Sequence, residues 1–301
     1  MASFKKVALL GKGYLGSVVV EELVKAQFEV TVVTRSQSTV EGIKSSVAIK
    51  EVDYSSIESL KAALEGHDVV VSTLNPGGIP LQKTAIDASI AVGVRRFIPA
   101  DFGSITTDPE AQNLPVLGHV VAIQKYLAEK ANAGDIEWTI FAVGGFLELL
   151  FTKPVAVDFE KRTATLFDGG DHPVSVSSTA TVGKAIAGAL KKPEETKNRV
   201  VHVHDIILTQ RKVLELAKKL DPGRTWTETA LDGSAELESH LQRLRSEGMS
   251  PAIFAGIFRA ALFSGKYGTA YHNVDNDLLG LGFKTDEEVE RLAVDLLNFE
   301  P

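Results

Sequence analysis

The hexapeptide Gly11-Lys12-Gly13-Tyr14-Leu15-Gly16 constrains this chain more than any other feature. It follows the apolar run Val7 to Leu10, and from its own Leu15 onward Val18, Val19, Leu23 and Ala26 recur at helical spacing. A buried strand, a glycine turn and an amphipathic helix in that order open a βαβ unit. Each glycine answers a separate steric demand: Gly11 the tight turn, Gly13 the close approach of backbone to a pyrophosphate, Gly16 the near contact of helix and sheet. The helix start then offers unpaired N–H groups and a partial positive charge to phosphate.

The rest of the first half repeats this rhythm. Apolar runs at Val30 to Val33, Val47 to Val52, Val69 to Leu74, Arg96 to Pro99 and Trp138 to Val143 alternate with helical stretches at Ile57 to Leu64, Gln82 to Val92 and Val120 to Ala131. The run ending at Leu74 meets the helix-breaking Asn75-Pro76-Gly77-Gly78. Six strands with crossover helices predict an α/β fold, a Rossmann-type doubly wound parallel sheet whose ligands sit beyond the strands' carboxyl ends. Leu74, Asn75 and Phe146 fall at such ends and join the glycine turn as expected cofactor contacts.

After Phe151 the pattern changes to a strand (Thr163 to Phe167), a turn at Asp168-Gly169-Gly170, a helix (Val182 to Leu190) and an alternating strand (Arg199 to His204). We expect a dinucleotide-binding domain over 1–150 and a smaller mixed α/β substrate lobe over 151–301, the chain returning to the sheet around 174–206. Most of the large rings lie in this half, with Phe254 and Phe258 spaced as helix core.

The end of the second strand decides the dinucleotide. An acidic residue there holds the ribose 2′-hydroxyl of NAD, whereas arginine suits a 2′-phosphate. Here the strand runs into Thr34-Arg35-Ser36 with no acid. Arg35 offers a planar, permanently charged fork, Ser36 and Ser38 add hydroxyls, and Lys44 adds charge. The expected cofactor is NADP(H).

Other classes are excluded by what is missing. The chain has no cysteine, which removes thiol nucleophiles and disulfides. Its net charge is -7, with no basic run longer than two residues, against a nucleic-acid or membrane-surface partner. No segment approaches the roughly 18 uninterrupted apolar residues of a membrane span, and Met1 to Leu10 is no secretory signal, so the chain reads as cytoplasmic. His202 and His204 alternate on one strand face without a third ligand, so no metal site is expected. A monomer or homodimer fits the composition.

The glycine turn, Thr34-Arg35-Ser36, Gly93-Val94-Arg95-Arg96-Phe97-Ile98-Pro99-Ala100-Asp101-Phe102-Gly103, and Trp138-Thr139 leading to Gly145-Phe146 together resemble the NmrA-like atypical short-chain dehydrogenase/reductases. Within them the chain is similar to the fungal members of the isoflavone reductase and phenylcoumaran benzylic ether reductase branch. The resemblance implies NADPH-dependent reduction of a small aromatic or polyketide-like secondary metabolite, with Asp101, Phe102, Val120 and Phe146 near the substrate. It leaves two alternatives: the scaffold serving a non-redox isomerisation, cyclisation or elimination, or a nonenzymatic NADP-sensing regulator.

The family's reductases use a lysine near the start of the helix after the Arg-Phe-Ile-Pro stretch. Counting back from Tyr126-Leu127, its place falls on Val120, which cannot exchange a proton. His119 is then the expected acid, although adjacent helical residues point about 100° apart. Lys125 lies about 140° round from Val120 and reads as solvated. Tyr126 and Lys130 spell the acid pair of ordinary short-chain dehydrogenases, but Tyr126 is too near Trp138 and reads as a core tyrosine.

Overall fold

The computed structural model describes residues 3–36 and 46–297. The first half gives β1 (Lys6–Leu10), α1 (Tyr14–Lys25), β2 (Glu29–Thr34), β3 (Ala48–Glu51), α2 (Ile57–Leu64), β4 (Val69–Ser72), α3 (Gln82–Ala91), β5 (Arg96–Ile98), α4 (Gly118–Asn132) and β6 (Glu137–Ala142). Then come β7 (Gly145–Phe146), α5 (Leu147–Thr152), β8 (Thr163–Phe167), β9 (Val174–Ser177), α6 (Thr179–Lys191), α7 (Pro193–Thr196) and β10 (Arg199–His202). The chain ends through β11 (Ile206–Leu208), α8 (Gln210–Leu220), β12 (Thr227–Leu231), α9 (Gly233–Glu247), α10 (Pro251–Phe263), α11 (Asn276–Leu279) and α12 (Asp286–Leu297).

Seven strands form one parallel sheet in the order β10-β6-β5-β4-β1-β2-β3. Both of its faces are covered. Val7 and Leu9 of β1 pack with Leu15, Val19 and Leu23 of α1 and with Val182 and Ile186 of α6. Ala8 and Leu10 point the other way, toward Leu60 of α2, Ile86 of α3 and Leu127 of α4. Two buried faces explain why the strands are unbroken apolar runs rather than alternating ones.

The strand expected at Arg199 to His204 lies in the stretch expected to return to the sheet; it stops at His202 and pairs with β6, Val200 opposite Ile140, at the edge of the main sheet. A buried arginine secures this edge. Arg96 on β5 donates to Glu137 Oε2 at 2.6 and 3.1 Å, to Thr196 Oγ1 at 3.0 Å and to Pro193 O at 2.6 Å, tying α7 to the sheet.

Beyond the main sheet, β11-β9-β7 and β12-β8 form two small sheets. A second core gathers Leu147, Phe151, Phe167, Trp226, Ile257 and Phe263 with the faces of α8, α9, α10 and α12. Phe254 departs from the expected helix core: it stacks on Phe258 at 6.4 Å but stays 41% exposed.

Candidate functional site

The strand order reverses between β1 and β4, and a cleft of about 1130 Å³ opens there, beyond the strands' carboxyl ends. The glycine turn forms one wall. Gly11 has φ +84°, which only glycine adopts without strain, and its N–H donates to Val33 O at 2.9 Å. A Cβ on Gly16 would fall 2.5 Å from both Gly11 O and Thr73 Oγ1, so α1 lies against the sheet only because this residue has no side chain. A Cβ on Gly13 would meet nothing within 4 Å; the space beside that backbone is open. Gly13 also begins α1 with no side-chain cap, whereas Ser56 and Thr209 cap α2 and α8 through their hydroxyls. The first N–H groups of α1 therefore face the cleft without a side chain covering them.

Thr34, Arg35 and Ser36 line the cleft beyond β2, with Arg35 exposed at its rim. Tyr54 lies beneath, its hydroxyl donating to Val33 O at 2.8 Å; burial holds the phenol well above its ordinary pKa, and Arg35 opposes the shift. Leu74 and Asn75 close the β4 side, where Asn75 Oδ1 accepts from Gly78 N at 3.1 Å. Lys44 and Ser38 fall outside the described residues.

The other end of the cleft is built from the loop after β5 (Asp101, Phe102, Gly103, Thr106), Val120 of α4 and Phe146 of β7. The Tyr14 ring, 55% exposed, meets Phe146 edge-on at 6.2 Å and 83°. Its hydroxyl is pushed up to about 12 by burial and by Glu148. Asp101 is fully buried, and Gln124 Nε2 donates to its Oδ2 at 2.6 Å. Desolvation raises this carboxyl above its ordinary value, while Thr106, Gln124 and the Gly103 N–H oppose the rise.

Among the described residues, the cofactor and substrate contacts expected from sequence line this one cleft, apart from Gly16, which packs behind it; the expected acid His119 does not. The structure does not bring His119 to the chemistry. It is exposed on α4 and absent from the cleft lining, because its neighbour Val120 takes the inward direction and successive helical residues diverge by about 100°. Lys125 is exposed as well. Tyr126 packs against the core beside Leu127 while staying partly exposed: its hydroxyl donates to Asp87, and the Lys83 and Lys130 ammonium groups lie 5.0 and 5.4 Å from its ring. His202 packs edge-on against Tyr271 at 4.9 Å and His204 Nδ1 bonds Ser175 Oγ at 2.9 Å. Among the described residues no group of three or more histidine or carboxylate side chains could hold a metal ion.

Sequence reasoning missed Thr73, Tyr54 and Thr106. Thr73 and Tyr54 stand just past β4 and β3, so the strand-end rule could have found them; Thr73 Oγ1 donates to Gly11 O at 2.7 Å and fastens the turn. Thr106 belongs to an irregular loop with no local signal. Among the described residues the lining of this cleft runs no further than Phe146. The second half acts from behind, through Tyr271 under the Asp101 loop.

A parallel sheet with a glycine turn at its switch point and an open cradle beside Gly13 defines a nicotinamide-dinucleotide-binding protein. Residues 11–193 match the family described as NAD(P)H-binding. The chain is 31% identical over 293 residues to oxidoreductase aprR of Aspergillus flavus, covering 94% of this chain and 97% of that one. It is 25% identical over 234 residues to an NmrA-like family domain-containing oxidoreductase of Gibberella moniliformis, covering 70% and 75%. In fold it is similar to the leucoanthocyanidin reductase–NADPH complex of Vitis vinifera (TM-score 0.77, 18% identity, 97% and 99% covered) and to an isoflavone reductase (TM-score 0.74, 20% identity, 96% and 99% covered). The chain belongs to the NAD(P)H-binding family. Among its described residues no helix is long and apolar enough to cross a membrane.

Proposed function

We propose that the protein is an NADPH-dependent reductase of a small, largely apolar aromatic or polyketide-like metabolite. The observation that carries this reading is Arg35 at the cleft rim beyond β2, between Thr34 and Ser36 and with no carboxylate lining that end among the described residues. A guanidinium and the Ser36 hydroxyl match a ribose 2′-phosphate, whereas a 2′-hydroxyl calls for an acid. The backbone of the glycine turn holds the pyrophosphate at the open face of Gly13. Tyr14 and Phe146 close the far end with two rings and keep water away from the reacting carbon. When bound, the reduced nicotinamide supplies a hydride. Phe102, Val120 and Phe146 present the metabolite with an apolar surface. That two neighbours in fold are, by name, reductases of isoflavone and leucoanthocyanidin supports an aromatic substrate.

Val120 also supports a second reading. It stands in the cleft where the resemblance places the reductases' lysine, and an apolar wall there suits a reaction without net redox change. Isotope transfer separates the two. Incubation with NADPH deuterated at the reactive carbon and a panel of phenolic metabolites should place deuterium in the product, with NADPH consumed in equal amount. Turnover without label and without NADPH loss would replace the reductase reading by the isomerase or cyclase one.

A further inference from the structure

Reduction of a neutral carbonyl needs a proton on oxygen as well as a hydride on carbon. Among the described residues, no side chain at the substrate end of the cleft is placed to give one. Val120 has no proton to exchange, and His119 faces solvent. Asp101 Oδ1 and Thr106 Oγ1 are buried from solvent, and Asp101 Oδ2 is taken by Gln124. The Tyr14 hydroxyl holds its proton, pushed up to about 12 by burial and by Glu148, which would repel a phenolate. The cationic side chains of the lining, Lys12 and Arg35, stand on the glycine turn and beyond β2, at the dinucleotide end.

The substrate end also carries negative charge without a partner. Asp101 is 4% exposed, and Thr106, Gln124 and the Gly103 N–H favour its ionised form against the desolvation that opposes it. Two residues past Phe146, Glu148 Oε1 accepts from Thr179 N and Thr179 Oγ1, both at 2.9 Å, while its Oε2 is buried and makes no hydrogen bond. Neither carboxylate belongs to an ion pair among the described residues. Buried carboxylates without a counter-charge are costly, and a positive ligand in the cleft would offset that cost.

We propose that the hydride acceptor is a cation, an iminium group of the metabolite, an inference that rests on the reductase reading above. The step then closes without an acid. The iminium carbon takes a hydride from the reduced nicotinamide, which is thereby oxidised, and a C–H bond forms. The C=N π pair becomes the lone pair of the amine nitrogen, and no proton moves. Positive charge passes from substrate to nicotinamide within the field of Asp101 and Glu148, so the two carboxylates keep a counter-charge throughout. The rings of Tyr14, Phe102 and Phe146 in the lining suit a delocalised cation as well as an apolar skeleton.

Two probes of the same bicyclic shape separate the chemistries. N-methyl-3,4-dihydroisoquinolinium is a permanent iminium and needs only hydride; 1-tetralone is a neutral ketone and needs a proton as well. With saturating NADPH, and after subtraction of the protein-free rate, kcat/KM for the iminium should exceed that for the ketone by at least about 10²-fold, the lower worth of general acid help. Equal or faster reduction of the ketone overturns the proposal. Binding is read without turnover, by calorimetry of the NADPH-saturated protein with N,N-dimethyl-1,2,3,4-tetrahydroisoquinolinium, a cation that cannot accept hydride. Asp101→Asn should weaken its binding at least about tenfold, the worth of one carboxylate at short range in a partly dry site. Wild-type protein that does not bind this cation, or a variant that binds it as tightly, overturns the proposal. Should the Asn variant not fold, Glu148→Gln, which keeps the acceptor for Thr179, is read in the same way. Oxidation of NADPH by neither probe counts against the reductase reading instead, and the calorimetric arm alone then decides whether the cleft selects a cation.

Discussion

The Tyr271 hydroxyl donates a 2.7 Å hydrogen bond to the carbonyl oxygen of Ser104, reaching from the second half of the chain to the loop that carries Asp101 and Thr106. Tyr271 is itself held, its N–H donating to Ser175 Oγ at 2.9 Å, so the small β11-β9-β7 sheet braces the cleft from behind. Tyr271→Phe leaves a buried carbonyl without its donor. It should destabilise the fold by about 1–3 kcal/mol, read from denaturant midpoints at unchanged slope. An unchanged midpoint would mean that the loop keeps its place without this bond.

Gly13→Val should abolish dinucleotide binding and leave the fold intact. The added side chain meets no protein atom within 4 Å of its Cβ, so the space it fills is the ligand's. Circular dichroism and calorimetry on the same sample check both halves, and normal binding by the variant would reduce the turn to a packing device. Gly16→Val should do the opposite and unfold, because its Cβ would strike Gly11 O and Thr73 Oγ1.

Arg96→Ala should cost about 3–5 kcal/mol, because it leaves Glu137 without its buried partner and cuts the bonds to Thr196 and Pro193 that hold α7. Thermal unfolding measures this. A loss under about 1 kcal/mol, the usual worth of a surface pair, would place Arg96 in effective contact with water.

Acid should weaken the fold before its surface carboxylates titrate. His67, His202 and His204 are all held below the ordinary value of 6.5, chiefly by burial, so the folded state prefers them neutral. Folded pKa values below unfolded ones mean full stability above pH 6.5, lost as pH falls from there through the depressed values. Melting temperatures between pH 7.5 and 5.5 should therefore fall, and His67→Gln should flatten the curve by removing a ring that bridges Leu64 O and Thr31 Oγ1. A flat curve in wild type would contradict the assignment.

The first six strands and much of the cleft lining were legible in the sequence because their signals are local. Gly11, Gly13 and Gly16 need no distant partner to be recognised, and Arg35 follows its own strand. What was not legible depends on residues far apart. Nothing in Arg199–His202 says that it pairs with β6, since a strand's pattern names its buried faces and not its neighbour. Tyr126 packs on the core as its spacing says, but its hydroxyl's bond to Asp87 and the two lysines beside its ring come from other turns of chain. His119 and Val120 differ by one position, and only the helix's rotation on the sheet decides which enters the cleft.

The affinity difference between NADPH and NADH tests the central claim most directly. Calorimetric titration of wild type and Arg35→Ala with each dinucleotide should show NADPH binding at least about tenfold tighter to wild type, the worth of a charge-assisted phosphate contact at about 1.5–3 kcal/mol. Arg35→Ala should remove most of that difference while leaving NADH binding unchanged. Equal affinity of the wild-type protein for NADPH and NADH would contradict the account.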